Sequence, residues 1–126
     1  EHDSPINVGH WMQRPRTHFF PCKRVVQGGQ GVPRYLVVGA THIMDLEAHR
    51  TKLNVAKLKA WNSLLDLDKV TFNKRDKQVV TFVFKPKGDE GGRPKGYVYL
   101  MEDKMLRRSV ECIQDNLRVL KGAQGG

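Results

Sequence analysis

The stretch Asp103-Lys-Met-Leu-Arg-Arg-Ser-Val-Glu-Cys-Ile-Gln-Asp-Asn-Leu-Arg-Val-Leu-Lys-Gly122 differs in pattern from everything before it. Met105, Leu106, Val110, Ile113, Leu117 and Leu120 recur at three- and four-residue intervals, which places them on one face of a helix. Asp103 is a suitable N-cap. Lys121 falls in the last turn and Gly122 supplies a C′ stop. The spacing predicts one amphipathic C-terminal helix whose apolar stripe needs something to cover.

What it covers is read from the residues upstream, which carry a strand pattern. His18 to Val26 holds Phe19, Phe20, Cys22, Val25 and Val26, with Pro21 at an edge or bulge position. Gln27-Gly28-Gly29-Gln30-Gly31 is turn chemistry. Tyr35-Leu36-Val37-Val38 is a β-branched strand, Gly39-Ala40 break it, and Thr41 to Leu46 resumes. Strands joined by so short a link are antiparallel neighbours. Residues 54–65 have mixed periodicity: Leu58, Trp61 and Leu65 favour a helical turn, while the neighbouring strands favour another strand, which is the reading adopted. Lys69–Asn73 and Gln78–Lys85 are strands around Asn73-Lys74-Arg75-Asp76-Lys77. Val79 to Phe84 is apolar nearly throughout, which implies burial on both faces or strong coiling. Pro86 to Gly96 is a Gly- and Pro-rich loop, and Tyr97–Leu100 a last short strand.

About seven antiparallel strands followed by one helix predict a mostly β fold. It is a small barrel of two orthogonal sheets capped by the helix, in the pleckstrin-homology-like (PH-like) manner. Residues 17–121 are assigned to this domain, 1–16 to a lead-in segment and 122–126 to a flexible tail.

The chain has 126 residues, enough for one domain that folds on its own core. The absence of an initiator Met and of a signal-peptide pattern at Glu1-His2-Asp3-Ser4-Pro5 reads as a piece of a longer cytosolic chain. No apolar run approaches the ~20 residues of a membrane span. Cys22 and Cys112 suit free or buried thiols in a reducing compartment.

Lys and Arg number 22 against 13 acids, a net charge of +9 that points to an anionic partner. Catalysis is not expected. There is no P-loop, Rossmann fingerprint, G-x-S-x-G elbow or H-E-x-x-H helix, and the five histidines lack metal-ligand spacing. No cofactor is implied. Nucleic-acid binding is disfavoured because Phe72, Phe82, Phe84 and Tyr35 fall where strand alternation sends them inward, leaving no outward stacking platform. Phosphoinositide recognition would use Lys23, Arg24 and Arg34 around the Gly-rich turn. That motif is incomplete, since Val32 stands where a second cation is wanted. Acidic-peptide recognition would use Lys69, Lys74, Arg75 and Lys77, with the peptide along a sheet edge or between a strand and the C-terminal helix.

Specific residues carry a resemblance as well. Trp11, Pro15, His18-Phe19-Phe20-Pro21-Cys22-Lys23, Pro33, Tyr35-Leu36-Val37-Val38 and Ala40-Thr41-His42-Ile43 resemble the C-terminal domain of TBC domain family member 23. So do Asn62-Ser63, Lys69-Val70-Thr71, the Lys74-Arg75-x-Lys77 turn and Val80-Thr81-Phe82. The similarity covers most of residues 11–85 and, weakly, the final helix. It implies a non-catalytic PH-like domain of a trafficking adaptor at the trans-Golgi network and on endosomal vesicles. Such a domain binds acidic sorting motifs of cargo or of a WASH-complex subunit, with secondary affinity for phosphoinositide membranes, while golgins engage the rest of the full-length protein. The basic positions that match are Lys69, Lys74, Arg75 and Lys77.

Overall fold

In the computed structural model, which describes residues 4–86 and 92–125, eight antiparallel strands and two helices follow one another. They are β1 (Ser4–Asn7), α1 (Val8–Met12), β2 (His18–Val25), β3 (Gly31–Val38), β4 (His42–Ala48) and β5 (Val55–Ser63). A single 3-10 turn, Leu64–Asp66, leads into β6 (Leu67–Phe72), β7 (Val79–Phe84), β8 (Lys95–Leu100) and α2 (Asp103–Gly125). The strand order is β1-β5-β4-β3-β2-β8-β7-β6. From β2 to β8 this is a meander closed on itself: the first strand pairs with the last through Lys23–Leu100 and Arg24–Tyr99. The opening of the barrel therefore lies between β5 and β6, the two strands joined by the 3-10 turn, whose Leu64 is fully buried. The fold is the PH-like one read from the sequence, with one strand more than the seven counted there.

The additional strand lies in the lead-in. β1 pairs with β5 from Ser4–Leu58 to Asn7–Val55, and Asn7 caps α1 by accepting the His10 N–H at 2.9 Å. The 5-residue α1 is too short to stand alone. It is held by burial, because Ile6, Val8 and Trp11 pack on Val37, Met44, Leu46, Ala56 and Leu58. This is a second, smaller core on the outer face of the sheet. The main core is inside the barrel: Phe20, Leu36, Val38, Ile43, Val80, Phe82, Phe84 and Tyr99 meet Leu106 and Ile113 of α2. The 54–65 segment is a strand from Val55 to Ser63, with Leu64 and Leu65 already in the 3-10 turn, and the strand's alternation is interrupted where the β4–β5 register shifts between Asp45 and Leu46. β7 buries Val80, Phe82 and Phe84 completely and leaves Val79, Thr81 and Val83 half-covered, so its apolar run serves one face fully and the other in part.

α2 runs through Gly122 and the assigned tail as far as Gly125. Residues 87–91 of the Pro86–Gly96 loop lie outside the described residues. Asn116 locks the helix to the sheet end. Its Nδ2 donates to the carbonyls of Arg16 at 2.9 Å and Gly39 at 2.8 Å, and its Oδ1 accepts from Arg16 Nε at 3.0 Å. Arg16 has φ +57, a left-handed conformation that a non-glycine residue holds only when its surroundings impose it.

Asn116→Ala removes all three bonds and leaves buried carbonyl groups unsatisfied. A loss of about 2–3 kcal/mol is expected, read as a lower urea midpoint at unchanged slope.

Candidate functional site

The two cationic clusters read from the sequence occupy different physical settings. Around the Gly-rich turn, Gly28 and Gly29 adopt φ of +90 and +82, which a side chain would resist. The turn closes β2 onto β3, but it does not present three cations to a ligand. Alternation turns Arg24 and Arg34 into the barrel, where Asp45 receives both. Arg34 Nη1 lies 3.1 Å from Asp45 Oδ1, and Arg24 Nη1 lies 3.2 Å from Oδ2. The Tyr99 hydroxyl donates to the same Oδ2 at 2.8 Å. Arg24 also stacks over the rings of Tyr97 and Tyr99 at 4.6 and 5.7 Å, and Arg34 Nε is 3.8 Å from Glu47. Arg34 is only 7% exposed.

Two of the three residues assigned to phosphoinositide binding are thus part of the interior. The reason is Asp45, a buried carboxylate that needs cationic partners. Lys23 alone of the three is exposed, on the opposite face of β2.

This cluster also sets nearby acidities. Burial, and then the Asp45 charge, push the Cys22 thiol up to about 12. The same two causes raise the Tyr99 hydroxyl well above its ordinary range, and burial raises Cys112. Both cysteines are free.

The β6–β7 hairpin differs because its cations are unused. Its turn is organised by polar side chains: Asn73 Oδ1 accepts the N–H groups of Arg75 at 2.8 Å and Asp76 at 3.2 Å, and Asp76 Oδ1 accepts that of Gln78 at 3.0 Å. Lys74, Arg75 and Lys77 project from this frame fully exposed, with no ion pair among the described residues.

Lys77 also lines a cleft of about 400 Å³ between the hairpin and α2, together with Phe72, Asn73, Leu106, Arg107 and Val110. Asp103 and Glu111 contribute carboxylates, and Asp103 is already paired with Arg107 at 3.2 Å. Phe72 faces the barrel side, opposite buried Val80, yet is 56% exposed because α2 does not close over this end of the strand. β6 is the last strand of the sheet, so its outer edge has no neighbouring strand among the described residues. Lys69 sits opposite Val83 and leaves β6 from the face away from Phe72. The structure therefore brings together Lys74, Arg75 and Lys77, and separates Lys69 from the cleft.

Alternation gives the direction of Phe82, Phe84 and Phe72 correctly, though Phe72 is exposed; Tyr35, read as inward, instead lies on the outer face of β3 opposite Leu46, because Arg34, Leu36 and Val38 take the inner side. Whether a face is covered depends on where a distant helix ends, and that leaves no trace in the strand itself. Of the cleft residues on α2, the sequence reading marks Leu106 and Val110 only as part of the helix's apolar stripe and leaves Arg107 unmarked. Among the described residues no group of His, Cys, Asp or Glu is arranged to hold a metal ion, and no helix is long and apolar enough to cross a membrane.

Asp45→Asn leaves two guanidiniums without a buried counter-charge. It is expected to cost about 3–5 kcal/mol by denaturant titration, whereas Lys74→Ala stays within about 0.5 kcal/mol. The Cys22 shift has a sign of its own. The folded thiol keeps its proton above pH 9 while the unfolded one, at the ordinary value of 9.0, loses it. The stabilisation is therefore complete below pH 9 and falls away as pH rises toward about 12. Cys22→Ala should flatten the decline in stability measured between pH 9 and 10.5, on the order of 1.4 kcal/mol per pH unit.

The family model described as TBC1 domain family member 23 C-terminal matches residues 6–112, from the end of β1 into the middle of α2.

Proposed function

From the premise that the chain belongs to the TBC1 domain family member 23 C-terminal family, we propose that it is a non-catalytic adaptor domain of vesicle trafficking that binds acidic linear peptides. The observation that supports this reading is the cleft beside β6. A sheet edge without a neighbouring strand, an exposed aromatic and three exposed cations with no ion pair among the described residues occur at one place.

An extended segment adds to a sheet edge through its backbone and takes specificity from side chains that meet pockets. Phe72, Leu106 and Val110 offer an apolar seat, and Lys74, Arg75 and Lys77 select carboxylates. The division of labour follows from solvent exposure. Cations at a wet rim mainly raise the association rate and reject cationic competitors. The apolar anchor, where water is excluded, slows dissociation.

In the family setting the partner would be a cargo tail or a WASH-complex subunit carrying an acidic motif. The place of action would be endosomal vesicles arriving at the trans-Golgi network, with golgins held by other parts of the full-length protein. Phosphoinositide binding at the β2–β3 turn is the weaker reading, because Arg24 and Arg34 are engaged with Asp45.

The test is calorimetry with synthetic peptides that join two apolar residues to a run of Asp and Glu. Lys74→Glu with Arg75→Glu should abolish binding while the circular dichroism spectrum and melting temperature stay unchanged. Phe72→Ala should weaken binding about tenfold, the loss of one partly buried aromatic contact. Unchanged affinity in the double variant places the peptide elsewhere.

A further inference from the structure

A second cleft, of about 380 Å³, opens on the outer face of the sheet and shares no lining residue with the cleft beside β6. Part of its lining is an aromatic cluster drawn from three elements. Trp61 of β5 stands edge-on to Trp11 of α1 at 6.5 Å and 81°, and to His42 of β4 at 4.9 Å and 85°. Trp61 is 42% exposed, whereas Trp11 packs partly on the outer core. The rest of the lining comes from two connections: Arg14, Pro15 and Thr17 between α1 and β2, and Gly39, Ala40 and Thr41 between β3 and β4.

Most polar groups of these connections are engaged with the protein itself. The Gly39 N–H donates to the His42 carbonyl at 2.8 Å, and the Gly39 carbonyl accepts from Asn116 Nδ2 at 2.8 Å. The Thr41 carbonyl accepts the Leu64 N–H at 2.9 Å, and the Thr41 hydroxyl lies 2.8 Å from His42 Nδ1. The Thr17 hydroxyl donates to the Pro15 carbonyl at 3.2 Å. A ligand therefore finds no row of backbone groups to which it could add as a strand. What remains is a set of donors. Among the described residues neither indole N–H has a hydrogen-bond partner. Exposed Arg14 lies over the Trp11 ring at 4.5 Å and has no ion pair among those residues. No carboxylate is among the lining residues, in contrast to Asp103 and Glu111 at the β6 cleft.

We propose that this cleft docks a proline-rich segment in the polyproline II conformation, with a carboxylate beside its prolines. Charge complementarity supplies the acid, which meets Arg14 at a rim that has no competing carboxylate. Donor–acceptor complementarity supplies the prolines. A proline has no N–H, so a run of them presents carbonyl acceptors and apolar rings, matching indole N–H groups and indole faces. The carbonyls of a polyproline II segment make no internal hydrogen bonds, whereas a helix uses its own and would leave the indole donors idle. The spacing agrees as well. Polyproline II advances about 3.1 Å per residue, so the 6.5 Å between the indole centres spans about two residues, one x-Pro unit. Such a segment is extended before it binds, so an aromatic-lined groove orders it at low entropic cost. The site does not depend on the reading of the β6 cleft.

Trp11 and Trp61 are the two tryptophans of the chain, so intrinsic fluorescence and the indole N–H resonances report the contact directly. The 126-residue chain is titrated with a synthetic peptide in which Asp-Glu precedes a run of prolines. Two control peptides replace the prolines by alanine, or Asp-Glu by Lys-Lys. The expected result is a saturable fluorescence change and movement of both indole resonances with the first peptide, and affinity at least tenfold weaker with either control. Trp61→Ala, at a ring that is 42% exposed, should weaken binding at least tenfold with the circular dichroism spectrum unchanged. Trp61→Phe keeps an aromatic face and loses the N–H, and should weaken it about fivefold. Arg14→Glu should make the Lys-Lys peptide the better ligand. Lys74→Glu with Arg75→Glu should leave the affinity unchanged, which separates this cleft from the one beside β6. The proposal is overturned if the proline peptide does not bind or if Trp61→Ala binds as the parent does. Equal affinity for the alanine peptide would show that charge or a helix suffices, and loss of binding in the Lys74 and Arg75 double variant would move the segment to β6. Either result overturns it equally.

Discussion

One buried carboxylate constrains most of the molecule. Asp45 is 1% exposed and takes contacts from Arg24 on β2, Arg34 on β3 and Tyr99 on β8, so a single side chain ties four strands. An ionised carboxylate in the interior is costly unless its oxygens are matched, and here each has at least one strong donor. The matching also fixes register. A one-residue slip of β4 would send Asp45 to the outer face and Leu46 into the barrel, exchanging a satisfied charge for a solvated one and disrupting both cores. The closing contact of the meander, Arg24 beside Tyr99, is a register pair of β2 with β8 as well as part of this cluster. Barrel closure and charge neutralisation are therefore one event.

The bulge opposite Asp45 follows from the same constraint. Residues directly opposed in register share a face. Ala60 and Asn62 oppose Asp45 and Ile43 on the barrel side, while Ala56 and Leu58 lie with Leu46 in the outer core. The register passes from Asp45–Ala60 to Leu46–Leu58, so β5 changes sides at Lys59. That change allows one strand to serve two cores. The outer core, in turn, is what holds the short β1–α1 segment, and β1–α1 brings Met12 beside Leu53 and Trp11 beside Trp61.

The elements legible in the sequence were those whose pattern is local. The period of α2, the strands around the two hairpins and the Asn73–Lys77 turn follow from residue spacing and turn chemistry. The antiparallel order of β2 to β4 follows from the shortness of their links. What was not legible depends on partners far away in the chain. Ser4 to Met12 is too short to show a period, and its structure exists because β5 offers an edge and an apolar face. Arg24 and Arg34 look like surface cations beside a glycine turn until Asp45, 11 residues beyond Arg34, is found pointing at them. A strand covered on both faces, as β4 is from Ile43 to Leu46, cannot show by alternation which side its one acid takes. Phe72 was read in the right direction, but its exposure is decided by the position of α2.

The cations behind the net charge of +9 are accordingly in different settings. Arg24 and Arg34 are internal, where Asp45 and Glu47 balance them, so they add nothing to the net. Lys74, Arg75 and Lys77 stand exposed on the β6–β7 turn, whose hydrogen bonds come from Asn73 and Asp76. Arg14, Lys23, Arg50 and Lys52 stand exposed around the β2–β5 layer. Each portion has a different susceptibility to salt: buried pairs are little screened, whereas exposed cations lose their reach over a Debye length of about 8 Å at physiological ionic strength. The two exposed portions lie on different elements, so occupation of one leaves the other accessible.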